Sequence, residues 1–142
     1  MRTEEIMDKV VTALTDLTTT ETNVNRAQVY NSSKDKLPGL AIYMGQDTLI
    51  EELQSVFLDW ELTIIIESRV KTRAQADELL NTIRGEVHIA LMGTPKYSLS
   101  FVHDTTPVSA SEPDLTGEGD QPIATQRLEY AITYRTSRTT LA

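Results

Sequence analysis

The sequence predicts an α+β domain, a mainly antiparallel or mixed β-sheet with two helices packed on one face and a long acidic loop or hairpin at its side. Three observations predict it. Two segments repeat apolar residues every three to four positions, the spacing of one helix face. Several others alternate apolar and polar residues, the spacing of a strand with one buried face. The order is helix, three strands, helix, two strands, so the strands are grouped rather than interleaved with helices. The 142 residues suit a single domain, 1–142. A chain of that size buries roughly 68–70% of its unfolded surface, enough for a core without staples.

The first helix is expected over residues 3–17, with Thr3 as its cap and Glu4 and Glu5 in the first turn, where the helix dipole favours acids. Ile6, Val10, Leu14 and Leu17 make its apolar stripe, and the run Thr18-Thr19-Thr20-Glu21-Thr22-Asn23 breaks it. Residues 24–31 predict a short strand, Lys34 to Lys36 a charged turn, and Leu40 to Met44 a second strand, with Pro38 before its start.

The clearest strand is expected over 58–70. Leu58, Trp60, Leu62, Ile64, Ile66 and Val70 fall on one face, and Asp59, Glu61, Thr63, Glu67, Arg69 and Lys71 on the other. Ile65 interrupts the polar face, as a subunit contact or as local packing. Thr72-Arg73-Ala74-Gln75 then fits a capping box for a second helix. Its apolar face is Ala76, Leu79, Leu80, Ile83, Val87, Ala90 and Leu91, and Gly93 and Pro95 stop it. Residues 97–103 and 127–136 read as the last two strands, the latter with Leu128, Tyr130, Ile132 and Tyr134 on one face.

Between those two strands lies the tract 104–121, with five acids, no bases, two prolines and two glycines. A loop this long inside a small domain is either a solvated connection or a functional segment that orders against a neighbour, and Leu115 is its one large apolar anchor.

The chemistry-bearing residues are few. The chain has no cysteine, which excludes disulfides, thiolate metal sites and cysteine nucleophiles and is compatible with a reducing compartment. Glu86 and His88, two apart on a helix, point away from each other. His103-Asp104 at a strand end offers two metal ligands without a visible third, and a catalytic zinc needs three. Phosphate loops, nucleophile elbows and HExxH motifs do not occur. The carboxylate pairs Glu51/Glu52, Asp59/Glu61 and Asp77/Glu78 could serve a hydrolase only if the fold brought two of them together; otherwise they are the outward faces of an acidic domain. The reading is therefore of no enzyme: no catalytic, metal or cofactor-binding residues and no cofactor. The opening MRTEEIMDKVV predicts no signal peptide, and no apolar run approaches the roughly 20 residues of a membrane helix, so no membrane partner is expected.

The formal net charge is −8. That argues against wrapping DNA, whose affinity comes from Lys and Arg on phosphates, but suits a surface along which DNA slides without sticking. Arg127, Arg135 and Arg138 surround the last strand, and Arg69, Lys71, Arg73 and Arg84 the strand–helix junction. If these share one face opposite Glu112, Asp114, Leu115, Glu118 and Asp120, the subunit is bipolar and suits head-to-tail ring closure. The alternative is ordinary surface ion pairing, which contributes little.

The segments EEIMDKVVTALTDL, TTTETNVNRAQVY and LPGLAIYMG, the strand ELTIIIESRVKT running into the helix RAQADELLNTIRGEVHIALM, and the closing GEGDQPIATQRLEYAITYRTSR together cover most of the chain. In order and spacing they resemble the tail terminator proteins of long-tailed phages, the family of the lambda-type minor tail protein U. The resemblance implies an α+β subunit without a cofactor, in a homo-hexameric ring that caps the tail tube. Such a ring ends tube polymerisation and offers the head–tail connector a docking surface. The implied partners are further copies of the chain, the major tail tube protein and the connector or neck protein, with genome DNA passing the bore without specific binding. The implied location is the tail or neck of the virion, after assembly in the host bacterial cytoplasm. A neck or head–tail joining protein of the same particle is the alternative, and a small enzyme or ligand-binding domain a third class.

Overall fold

The structure is a computed structural model that describes residues 1–26, 38–53, 56–71, 75–116 and 123–142. Its elements in chain order are α1 (Arg2–Leu14), β1 (Val24–Arg26), β2 (Gly39–Leu53), β3 (Phe57–Lys71), α2 (Ala76–Gly93), β4 (Val102–Ala110), β5 (Asp114–Thr116) and β6 (Ile123–Ser137). The sheet runs β1-β2-β3-β6-β4, and β5 also pairs β6. Only β1 with β2 is parallel. The fold is α+β with a mixed, mainly antiparallel sheet, as the patterning predicts.

The two long central strands carry the architecture. β3 and β6 pair along their whole length, from Phe57↔Ser137 to Lys71↔Ile123. The register puts Leu62 opposite Ile132, Ile64 opposite Tyr130 and Ile66 opposite Leu128, so both apolar sets lie on one face. Ile6, Met7, Val10 and Leu14 of α1 and Leu80, Ile83, Val87 and Leu91 of α2 complete the same core cluster. The opposite face carries Glu61, Thr63, Ile65, Glu67 and Arg69, all half-buried; Ile65 sits there between Tyr43 and Glu129.

Several local expectations change. α1 begins at Arg2 with Met1 as N-cap, so Thr3 lies inside the helix and caps nothing. It ends at Leu14 because Thr15 turns extended and Asp16 takes a φ of 68°. Leu17 is therefore off the helix; it bridges to Glu21 and packs partly buried against the core. Helix α2 starts at Ala76 with Gln75 as N-cap, at φ 60° and without a side-chain cap bond, so Gln75 does not close a capping box. Residues 72–74 lie outside the described residues, as do residues 27–37, which hold the 34–36 turn and most of the expected 24–31 strand.

The strand expected over 97–103 is instead a series of turns. Tyr97 and Ser98 have φ of 52° and 58°, and amides of Tyr97, Leu99 and Val102 donate to carbonyls of Thr94, Lys96 and Leu99. Tyr97 is nonetheless buried, with its hydroxyl 3.0 Å from the Thr105 hydroxyl, and burial pushes its pKa up to about 12. The strand itself starts at Val102 and runs into the tract expected to be a loop. Residues 104–110 belong to β4 and 114–116 to β5, both paired to β6, so only the three residues 111–113 connect them. β4 is the sheet's edge. Pro107 and two register shifts, at Val102/Asp104 and Pro107/Ser109, break its regularity in the way edge strands avoid unwanted pairing.

Candidate subunit interface

Strand β6 separates the residues that sequence reasoning brings together. Glu112 and Asp114 are exposed beside its N-terminal end, and Leu115 pairs with Ala124. Glu118 and Asp120 lie outside the described residues. Arg127 is exposed at this same end, held by backbone bonds to Ser111: the Ser111 amide donates to its carbonyl at 2.8 Å and its own amide donates to Ser111 Oγ at 2.9 Å. Arg69 and Lys71 are there too, opposite Thr125 and Ile123. Arg135 is eight residues further along β6, about 26 Å at 3.3 Å per residue, and Arg138 lies beyond the strand end, its amide donating to the Val56 carbonyl at 3.1 Å. Arg69, Arg127 and Arg135 therefore share the outer face of the sheet but not one end of it, and Asp114 falls on that same face, so these arginines do not stand opposite the acids. Arg127, Arg69 and Lys71 accompany the acidic segment, and Arg135 and Arg138 mark the other end of the sheet.

At that other end Asp59 meets an arginine and a histidine. Arg135 Nε donates to Asp59 Oδ1 at 2.8 Å and its terminal nitrogen to Oδ2 at 3.3 Å, while His103 Nε2 lies 3.3 Å from Oδ1. The arginine hydrogen bond holds the Asp59 carboxyl below its ordinary range against the opposing effect of burial, and the His103 bond adds to the lowering. His103 thus turns to Asp59 and not to Asp104, whose carboxylate accepts from the Thr105 amide at 2.9 Å. The guanidinium of Arg2 donates to the Arg135 carbonyl and lies 4.7 Å from the centroid of the Phe101 ring; that of Arg135 lies 5.3 Å from the Phe57 ring. Arg2, Phe57, Phe101, His103 and Arg135 border a cleft of about 280 Å³. Sequence reasoning singles out Arg135 and, as a possible metal ligand beside Asp104, His103, but misses the group, because its members come from α1, β3, the turn before β4, β4 and β6.

A second cleft, of about 290 Å³, opens between α2 and β4 beside Arg84, His88, Val108 and Tyr130. His88 Nδ1 is 3.2 Å from the Tyr130 hydroxyl, and Glu86 instead accepts from the Thr19 amide at 2.8 Å and from its hydroxyl, fastening the loop after α1 to α2. These polar groups are used in packing. No group of three or more His, Asp or Glu with metal-binding geometry occurs among the described residues.

Met44, Leu49 and Ile50 of β2 and Val56 and Phe57 at the β2–β3 turn are exposed. Two register shifts in β2, between Met44 and Asp47 and between Leu49 and Glu51, keep Leu49 on the helix-side face opposite Trp60. Gly45 at the first shift is required: a Cβ there would stand 2.8 Å from the Thr63 carbonyl oxygen. Neither helix covers Met44, Leu49, Ile50 or Val56, so this edge of the hairpin is a surface that another chain can bury, while Phe57 is on the other face of the sheet, against the Arg135 guanidinium. No helix among the described residues is long and apolar enough to cross a membrane. No protein-family model matches the chain, and no curated protein matches it.

Proposed function

We propose that this chain is a ring-forming tail terminator of a long-tailed phage. In this reading copies of the chain close head to tail, cap the tail tube against further subunit addition, and present a new surface to the head–tail connector while DNA passes through the bore. The ring would be hexameric and part of the virion, assembled in the bacterial cytoplasm. The observation that carries the reading is the exposed apolar edge at Met44, Leu49, Ile50 and Val56, on a subunit whose acidic segment lies at the opposite end of β6. Unlike surfaces at unlike ends make heterologous contacts, and such contacts generate closed rings when the rotation closes. The resemblance in segment order supports the same reading.

The test is electron microscopy of particles from a phage lacking the gene. Over-long tails are the expected outcome. Tails of normal length, detached from heads, would instead assign the chain to head–tail joining, and normal complete particles would remove it from the tail pathway.

A further inference from the structure

We infer that the cleft between Arg2, Phe57, Phe101, His103 and Arg135 is a receptor for the acidic segment Ser111–Leu115 of a second copy of this chain. The inference deepens the ring reading and rests on it for the identity of the occupant.

The cleft has the chemistry of a carboxylate site. In a chain of net charge −8 it brings together two guanidinium groups and an imidazole. Asp59 neutralises Arg135, and Glu51 lies near enough to affect it, but Arg2 has no carboxylate partner among the described residues. Arg2 and Arg135 each lie over a phenylalanine ring. Asp59 already takes the Nε edge of Arg135, and one terminal nitrogen of Arg2 donates to the Arg135 carbonyl, so the remaining N–H groups of Arg2 are the ones that would meet an incoming carboxylate, while the ring presents apolar surface beside them. The site thus favours an acid with an apolar neighbour over a bare anion.

Glu112-Pro113-Asp114-Leu115 is such a sequence. Ser111, Glu112, Pro113 and Asp114 are all exposed, and neither acid has an ion-pair partner among the described residues. The segment is also held ready. Ser111 makes two bonds to the Arg127 backbone, and the Gln126 side-chain amide donates to the Ser111 carbonyl at 2.9 Å. Little chain entropy remains to be lost when such a segment docks.

The fold excludes the contact within one copy. β5 pairs with Thr125, Ala124 and Ile123, and the cleft sits at Arg135 and Ser137. Ten residues of strand from Thr125 to Arg135 span about 33 Å. Only another copy can bring the segment to the cleft, and it must arrive head to tail.

The test titrates the full chain into a fluorescently labelled peptide of residues 109–117 and follows anisotropy at two salt concentrations. Saturable, salt-sensitive binding is expected, weakened at least tenfold by Arg2→Glu in the protein. The same loss is expected with Glu112→Gln and Asp114→Asn in the peptide, a change that cannot affect protein folding. No binding of the unmodified peptide, or binding indifferent to both sets of changes, would overturn the inference. So would a single-stranded DNA oligonucleotide that binds more tightly than the peptide and loses binding with Arg2→Glu, because the cleft would then be a phosphate site. The two proposals fail separately. Peptide binding together with normal tails in the gene knockout would leave the receptor and remove the terminator. Over-long tails with no peptide binding would do the reverse.

Discussion

The two parts of β2 both carry apolar residues and have opposite surroundings. Leu40, Ala41 and Ile42 are 2%, 1% and 0% exposed, whereas Met44, Leu49 and Ile50 are 40%, 46% and 50% exposed. The inner half pairs with β1 on one side and β3 on the other and lies within the helix-covered core. The outer half keeps its pairing to β3 but loses its cover. The difference teaches that apolar alternation marks a face that is to be buried, without saying by what. Fully burying a Leu, Ile or Met side chain is favourable by roughly 1.5–3 kcal/mol. The exposed residues of the outer half are thus a sizeable incentive for association that the isolated chain leaves unused.

The largest effect should separate the two regions outright. Ile64→Ala removes a fully buried side chain from the covered core and should cost about 2–5 kcal/mol in urea unfolding of the isolated chain. Leu49→Asp with Val56→Asp, on exposed side chains, should change that stability by less than about 1 kcal/mol in total while abolishing ring formation by native mass spectrometry or capping on tubes. A stability loss as large as that of Ile64→Ala would mean that the outer half belongs to the fold of the protomer. Unimpaired assembly would remove this edge from the proposed ring contact.

Gly45 lies near the start of the outer half, and the next effect is smaller. Gly45→Val drives a side chain into the Thr63 carbonyl, 2.8 Å from the position of its Cβ. Overpacking of this kind typically costs 1–3 kcal/mol. The strand must shift its bulge or move off β3, and either change alters how Leu49 and Ile50 are presented. Hydrogen exchange is expected to rise at residues 44–51 and to stay unchanged at residues 40–42 of the same strand. Equal acceleration in both segments would show that the bulge does not divide the strand.

How much of this was legible in the sequence depends on whether local spacing carried the signal. β3, α2 and β6 were readable because a single period dominates each, despite Ile65 and Ser68 in β3, and the shared core face of Leu62, Ile64, Ile66 and Leu128 follows from it. β2 was readable only to Met44. Its two register shifts reset the parity of the alternation at Gly45 and again at Ile50, so the last nine residues of a 15-residue strand carry no clean period. β4 was hidden because an edge strand with only Val102 and Thr105 buried looks like a polar loop, and Pro107 strengthens that appearance. The acidic segment and Arg135 were legible as charges, but their positions at opposite ends of β6 came from the pairing of β5 with Ile123–Thr125. The cleft was not legible, since Arg2, Phe57, Phe101, His103 and Arg135 meet only through tertiary structure.

The smallest expected effect contrasts two carboxylates that β2 and β3 hold differently. Asp59 on β3 is buried and bound to Arg135, and its pKa is lowered from the ordinary 3.8. Its contribution to stability is complete above that ordinary value and is lost as pH falls through the lowered one. Asp47 on the outer half of β2 accepts from the Tyr134 hydroxyl at 2.5 Å, yet desolvation dominates and raises its pKa above 3.8. Protonated Asp47 therefore favours the fold, and that contribution is present below 3.8 and is lost as pH rises through the raised value. Urea midpoints measured from about pH 7 down to about pH 2 should separate the two. Asp59→Asn should lower stability at neutral pH and flatten the loss on the acid side. Asp47→Asn should leave the acid limb steep and compare most favourably with the parent chain at neutral pH. Parallel pH profiles for the two variants would mean that the outer half of β2 holds its acid no differently from the paired core strand, and the contrast between the halves would then be one of apolar exposure alone.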